Sequence, residues 1–297
     1  MSSECPDRSG GSAPGPGAPA LGYRLGLPAW AFPGWRERYF EATPSPLASY
    51  AQVFNAVEGN TTFYATPSPA TVRSWLAALA GRDFRFCFKL PRTVTHERRP
   101  ARADLLGLLR ALEPLETHLG PLLLQFPARV GPDALDTLRA VFEQLPRGWP
   151  AVVEVRHPDF FTGADRLGPL LDEFGYGRAV VDTRALYQGD QSHPDVADAV
   201  HEKPDLPVIP EERNALAFVR LVLHPDAPSN APVVAEWAVR VADYLERGLT
   251  PWVMVHCPND LYCPSFAEAF HAQLADRTVR VARRLPAWPV PQQTGLF

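Results

Sequence analysis

Lysine is almost missing from this chain: of 29 basic side chains only two, Lys89 and Lys203, are lysines. Arginine does not replace lysine where a compact, titratable ammonium is needed. Lys89, kept at the end of an apolar strand, is therefore a candidate for chemistry. Cysteine is scarce too. Cys5, Cys87, Cys257 and Cys263 form no Cys-x-x-Cys pair, which fits reduced thiols in the cytoplasm. No apolar run approaches the roughly 18 residues of a membrane span, so no membrane partner is expected. Neither sign of charge dominates: the net charge is -4 and the isoelectric point about 6.1, so nothing global points to nucleic acid. Residues 1–20 are rich in Ser, Gly, Ala and Pro and have no apolar core, unlike a secretory leader. Segment 1–21 is expected to be a disordered tail, having little to bury, and the cytoplasm is the expected location.

What is present is enough for a full core: 46% of the 297 residues are hydrophobic. Continuous apolar runs predict strands at 23–27, 53–57, 84–90, 121–126, 151–155, 178–181, 217–223 and 252–256. Between them lie amphipathic helices at 44–51, 69–80, 102–119, 132–145, 165–174, 233–246 and 266–274. Thr43 caps the first with Pro44 at its first position, and Ser68 caps the second. Eight strands alternating with helices over about 260 residues is the arithmetic of an α/β fold of the (β/α)8, TIM-like barrel type. A dinucleotide-binding doubly wound sheet is disfavoured, because no Gly-x-Gly-x-x-Gly follows the first strand. The expected organisation is one barrel over 22–278 and a Pro-rich C-terminal tail over 279–297. A long polar excursion at 183–214 reads as a lid or as disorder.

In a barrel the chemistry belongs at the carboxyl ends of the strands. Those ends are polar almost without exception: Glu58 and Asn60, then Lys89 followed by Arg92 and His96, then Gln125, then Glu154, Arg156 and His157, then Asp182, Arg220 with His224, and His256 with Asn259 and Asp260. Neighbouring parallel strands lie about 4.8 Å apart, so Glu58 and Lys89 are expected to pair. Glu154 and Arg156 share one side of their strand. Candidate catalytic residues are Glu58 as general acid or base, Lys89 as its partner, and Glu154, His96 and Asp182 as orienting groups. Candidate substrate contacts are Trp30, Asn60, Tyr64, Gln125, Arg156, His157, Arg220 and Asn259. Arg156 and Arg220 are suited to clamp a phosphate or carboxylate. A divalent metal among Glu58, His96, Glu154, His157, Asp182, His256 and Asp260 has no His-x-His or His-Glu-x-x-His spacing behind it, and no metal ligand or other cofactor is assigned.

Six blocks stand out: Trp30 with Phe32, Gly34 and Trp35; the run from Val57 through Glu58-Gly59-Asn60-Thr61-Thr62-Phe63-Tyr64 to Pro67; Phe84 to Lys89; Thr95-His96; Leu119 to Pro127; and Val153-Glu154-Val155-Arg156-His157-Pro158. In this order and spacing they resemble the YecE-like family, DUF72. The resemblance implies a TIM-like barrel and no settled activity. The chain departs from the pattern at Pro28-Ala29-Trp30, at His224-Pro225, at His256-Cys257-Pro258-Asn259-Asp260 and in the 183–214 excursion.

Three functional readings follow. The first is an enzyme, a hydrolase or lyase, doing acid/base chemistry on a small anionic or sugar-like substrate at the rim. The second is a DNA-processing or repair accessory: residues 293–297, Gln-Thr-Gly-Leu-Phe, resemble the peptide by which bacterial proteins dock on the DNA sliding clamp. The third is a barrel that binds a ligand without converting it.

Overall fold

The computed structural model describes residues 21–36, 38–40, 45–97 and 99–289. Among them eight strands occur: β1 (Arg24–Gly26), β2 (Ala56–Gly59), β3 (Arg85–Phe88), β4 (Leu122–Gln125), β5 (Ala151–Glu154), β6 (Gly177–Asp182), β7 (Phe218–Val222) and β8 (Trp252–His256). Six of them form a curled parallel sheet in the order β1-β8-β7-β6-β5-β4, and β2 pairs in parallel with β3. The ladder thus divides six and two instead of running through eight. Between the two sheets the backbone makes isolated bonds only. On one side, bridges join Phe86 to Leu119 and Lys89 to Leu123. On the other, Glu58 N–H donates to Leu27 O at 3.0 Å.

Side chains fasten this second seam where ladder bonds are missing. The Tyr50 hydroxyl accepts from Leu27 N at 2.9 Å and donates to Ala56 O at 2.8 Å. The Asn55 amide accepts from Leu25 N at 2.9 Å and donates to Tyr23 O at 2.7 Å. Gly26 allows β1 to come this close. A Cβ there would lie 2.7 Å from Ala56 O and 2.8 Å from Met254 Sδ.

The helices are α1 (Pro46–Tyr50), α2 (Pro69–Leu79), α3 (Arg92–Thr95), α4 (Arg102–Leu112), α5 (Leu135–Phe142), α6 (Gly168–Phe174), α7 (Arg184–Gln188), α8 (Pro194–Ala197), α9 (Ala199–Glu202), α10 (Ala227–Glu246) and α11 (Cys263–Ala275). Ser68 caps α2 as its sequence predicts, its hydroxyl accepting from Thr71 N at 3.1 Å. The expected cap Thr43 and the helix-start Pro44 lie outside the described residues, and Ser45 caps α1. The helix expected over 102–119 stops at Leu112 and continues as a 3-10 turn (Glu113–His118), because Pro114 has no N–H and crowds the preceding turn. α10 begins six residues earlier than its apolar pattern, with Pro228 in its first turn and Pro232 inside it. The excursion at 183–214 carries α7, α8 and α9.

At the ends of the chain, residues 1–20 and the Gln-Thr-Gly-Leu-Phe of 293–297 lie outside the described residues. Leu21 and Val281 are buried, and the Trp288 ring sits 5.2 Å from Tyr39 and 5.6 Å from Phe54. Among the described residues no helix is long and apolar enough to cross a membrane.

What positions the site is the order of side chains inside the curled sheet. One interior layer is apolar: Ala56, Cys87, Leu123, Val152, Ala179, Phe218, Trp252 and Met254 pack together. Strand side chains alternate between faces, so the residues two steps further along point the same way. Those residues are Glu58, Lys89, Gln125, Glu154, Val181, Arg220 and His256. A charged layer therefore rests directly on an apolar plug.

Candidate functional site

The centre of the charged layer is Arg220 from β7, which is 5% exposed. Its Nε and Nη2 donate to the two carboxylate oxygens of Glu58 on β2, each at 2.8 Å. Its Nη1 donates to Glu154 Oε2 on β5 at 2.5 Å. The Glu58 carboxylate also accepts from Asn60 Nδ2 at 3.0 Å and from His256 Nε2 at 3.1 Å. Each Glu58 oxygen thus takes two hydrogen bonds, which is its full capacity. Burial acts to raise the Glu58 carboxyl, but Arg220 and His256 outweigh it and hold the group well below the ordinary carboxylate range. Glu154 behaves likewise. Burial raises it, yet Arg220 and Arg156 hold it at about 2, with Arg156 Nε donating to Glu154 Oε1 at 2.6 Å. His256 is pushed below its ordinary value, first by burial and against the pull of Glu58, and its Nε2 faces the Glu58 carboxylate.

The run Glu58-Gly59-Asn60-Thr61-Thr62-Phe63 is explained by what it holds. The strand ends at Gly59 and the chain turns as a 3-10 helix (Asn60–Phe63). Asn60 Nδ2 also donates to Pro28 O at 3.1 Å, tying the turn to the loop after β1. The Thr62 hydroxyl is shared between Gly59 O and Lys89 O, 2.9 and 2.7 Å away. That bond places the Phe63 ring beneath the Lys89 ammonium, 3.9 Å from Nζ to the ring centroid. Among the described residues no carboxylate lies within ion-pair distance of Lys89 Nζ; the carboxylates nearest in the layer are held by arginines. Burial, and then Arg220, push the Lys89 amine down to about 8.

Above this layer is a cavity of about 590 Å³. Its floor includes Asn60, Lys89, Gln125, Arg220 and His256, and its outer walls include Phe63, Tyr64, Arg156 and Asp260. Its roof is the excursion, through Pro194, Asp195, Asp198, Ala199, Glu202 and Lys203. Bonds from the barrel seat that roof: Asn259 Nδ2 donates to Asp195 Oδ2 at 3.1 Å and Arg156 Nη1 to Glu202 O at 3.2 Å, while His224 Nε2 lies 3.0 Å from Asp190 O. Within the roof the Tyr187 hydroxyl donates to Lys203 O at 2.8 Å. Lys203 thus faces the same cavity as Lys89. Its amine is also pushed down, by burial first and then by Arg220 and Arg156, and no carboxylate of the described residues pairs with it. Both lysines of the chain meet in one cavity. Lys203 escaped the motif argument because it lies in a segment without periodicity; its rarity among 29 basic side chains was the available signal.

Several sequence expectations change. Glu58 pairs with Arg220 and not with Lys89: in the ladder Glu58 aligns with Cys87, and the guanidinium reaches it across the interior. Arg220 is committed to two glutamates, so its fork is not free to clamp an anion. Asp182 is not brought to the cavity. It is one step out of phase with Val181 and faces outward, accepting from Trp237 Nε1 at 2.7 Å and from Arg184 at 2.7 Å. His157 caps the turn after β5, its Nδ1 accepting from Asp159 N at 3.2 Å. Trp30 packs edge-on against Trp75 and Phe86. His96 stands behind Phe63, 5.0 Å between ring centroids, and is pushed down to about 4 by partial burial and then by Lys89 and nearby arginines. Asn259 holds the roof from behind. Asn60, Tyr64, Lys89, Gln125, Arg156 and Arg220 do line the cavity. Among the described residues no three His, Cys, Asp or Glu side chains gather to hold a metal ion, because Glu58 and Glu154 are taken by guanidinium groups and Asp182 faces out.

Comparison with known proteins agrees with the blocks quoted above. The model of a family described as "Protein of unknown function DUF72" matches residues 24–293. The protein named UPF0759 protein YecE from Escherichia coli (strain K12) is 32% identical over 278 residues, covering 92% of this chain and 99% of that protein. Its counterpart from Escherichia coli O157:H7 is 31% identical over the same length. Among solved structures, a DUF72 family protein from Enterococcus faecalis V583 superposes with a TM-score of 0.63 at 18% identity, over 86% of this chain and 96% of that one. A DUF72 family protein from Thermotoga maritima MSB8 gives 0.60 at 20% identity, over 86% and 98%. At these identities the structural likeness speaks for the fold.

Proposed function

The chain belongs to the DUF72 family of proteins of unknown function, and for this member we propose an enzyme acting on a small hydroxylated molecule that carries a phosphate or carboxylate. We read the eight strands as one closed (β/α)8, TIM-like barrel whose cavity lies at the carboxyl ends of the strands, the usual place for chemistry in that fold. Lys203 and Arg156 neutralise the anionic group. Lys89, whose amine sits at about 8, gives and takes the proton near neutral pH. Asp195, Asp198 and Asp260 accept from substrate hydroxyls. Glu58, Arg220, Glu154 and His256 are a rigid frame in the layer of Lys89, not proton carriers.

One observation carries this reading: the only two lysines of the chain line a single cavity, and among the described residues neither has a carboxylate within ion-pair distance, the nearby glutamates being held by arginines. A partly desolvated ammonium without a counter-ion is costly. An incoming anion relieves that cost and is held by charge-assisted hydrogen bonds.

Calorimetric titration with inorganic phosphate and with a panel of sugar phosphates and hydroxy acids tests the reading. Binding is expected, and Lys203→Met should weaken it at least about tenfold, equivalent to about 1.4 kcal/mol. Binding that ignores both Lys203→Met and Lys89→Met, or no anion binding at all, overturns the site. Tight binding without conversion of any bound compound leaves a ligand-binding barrel in place of an enzyme.

A further inference from the structure

We propose that Lys89 is a covalent nucleophile: it forms an imine with the carbonyl carbon of an aldehyde or ketone whose anionic group is held by Lys203. This rests on the anion site proposed above, puts a covalent role in place of the proton transfer given to Lys89 there, and names the class of substrate and the kind of bond. Four features of the fold converge on it. The amine stands at the end of β3, on backbone fixed by the Thr62 hydroxyl at 2.7 Å. Its Nζ lies over the Phe63 ring, 3.9 Å from the centroid, which positions the amine without engaging a lone pair once it is free. Among the described residues no carboxylate is bonded to it, so none holds the amine once the proton leaves. Arg220, a cation that cannot lose its charge, is locked in the same layer by Glu58 and Glu154. A desolvated amine beside a second cation is the arrangement that makes lysine nucleophilic near neutral pH, and the Lys89 amine sits at about 8.

The step is balanced without a further reagent. The free amine adds to the carbonyl carbon, and an N–H proton passes to the oxygen. Loss of one water then leaves the C=N bond. A neighbouring C–H or C–C bond is weakened once the imine is protonated, which suits proton transfer or lyase chemistry. The polar lining of the cavity, with Asp195, Asp198 and Asp260 at its edge, suits a hydroxylated carbon chain.

The scarcity of lysine makes the test clean, since the chain has two side-chain amines. The full chain is mixed with pyridoxal 5′-phosphate, used only as an aldehyde that carries a phosphate. The mixture is reduced with sodium borohydride, and the labelled peptide is mapped by mass. Saturable labelling is expected on Lys89 and not on Lys203, with competition by inorganic phosphate, an inflection in rate near pH 8, and no label in Lys89→Arg. Labelling of Lys203 alone, or no label while phosphate still binds by calorimetry, overturns the imine and leaves the anion site standing. Absence of both label and phosphate binding overturns the anion site itself.

Discussion

Replacing Lys89 with methionine should make the protein more stable at pH 7 while removing its function. Methionine has nearly the length of lysine, carries no charge, and packs well on an aromatic ring such as Phe63. The magnitude follows from the amine. Its folded value is about 8 against an ordinary 10.5, first because of burial and then because of Arg220. Each tenfold change in proton affinity is worth about 1.4 kcal/mol, so carrying the charge at pH 7 costs the folded chain up to ~3 kcal/mol. Contact with the cavity makes that figure a ceiling, and about 2 kcal/mol is the expected gain. The sign has a pH signature. Below pH 8 the amine is charged in both the folded and the unfolded chain, and the folded chain bears the cost. Between about 8 and 10.5 the folded amine is neutral while the unfolded chain keeps its proton, so the wild type regains stability as pH rises. Urea unfolding of both proteins at pH 7 and pH 10 should show the advantage of Lys89→Met shrinking. A variant that is no more stable than the wild type at pH 7, or an advantage that does not change with pH, refutes a desolvated, unpaired amine.

The frame in the layer of Lys89 makes further predictions. Arg220→Met leaves Glu58 buried without a guanidinium and Glu154 with Arg156 alone, which should cost roughly 3–5 kcal/mol; adding Glu58→Gln should restore part of the lost urea midpoint. Glu154 is held at about 2, so its contribution is complete above about pH 4.5 and is lost as pH falls toward 2. The thermal midpoint of Glu154→Gln should therefore depend less on pH across that window than the wild type's. Gly26→Ala puts a methyl 2.7 Å from Ala56 O at the β1–β2 seam, and overpacking of that kind should cost about 1–3 kcal/mol by the same urea assay.

How far these features could be read beforehand depends on the range of the interaction. Alternation along a strand is local, so Glu58, Gln125, Glu154 and Arg220 were legible as one polar rim, and the eight strands as an alternating α/β pattern. Asp182 failed by one step of the same alternation. It ends β6 but points at Trp237, and only the register with Ala179 in the apolar layer tells the two faces apart. The Glu58–Arg220 pair joins residues 162 positions apart across the interior, where an argument from neighbouring strands chooses Lys89 instead. Lys203 reaches the cavity because Arg156 and Asn259 seat the excursion over the mouth and Tyr187 braces it from within. These are tertiary bonds with no periodic trace. The Asn60–Phe63 turn is the opposite case: its residue types were conspicuous in sequence, and their purpose, to set Phe63 under Lys89, became visible only with the geometry.

The central claim is that the two lysines are partly desolvated amines, without a carboxylate partner among the described residues, that share one anion site. The protein labelled with carbon-13 at lysine gives two ε-carbon signals in its NMR spectrum, one per residue, assigned with Lys89→Met. The account predicts that one titrates near 8, that the other titrates below the ordinary 10.5, and that added phosphate moves both upward. Two signals that both titrate near 10.5 and ignore phosphate would contradict it.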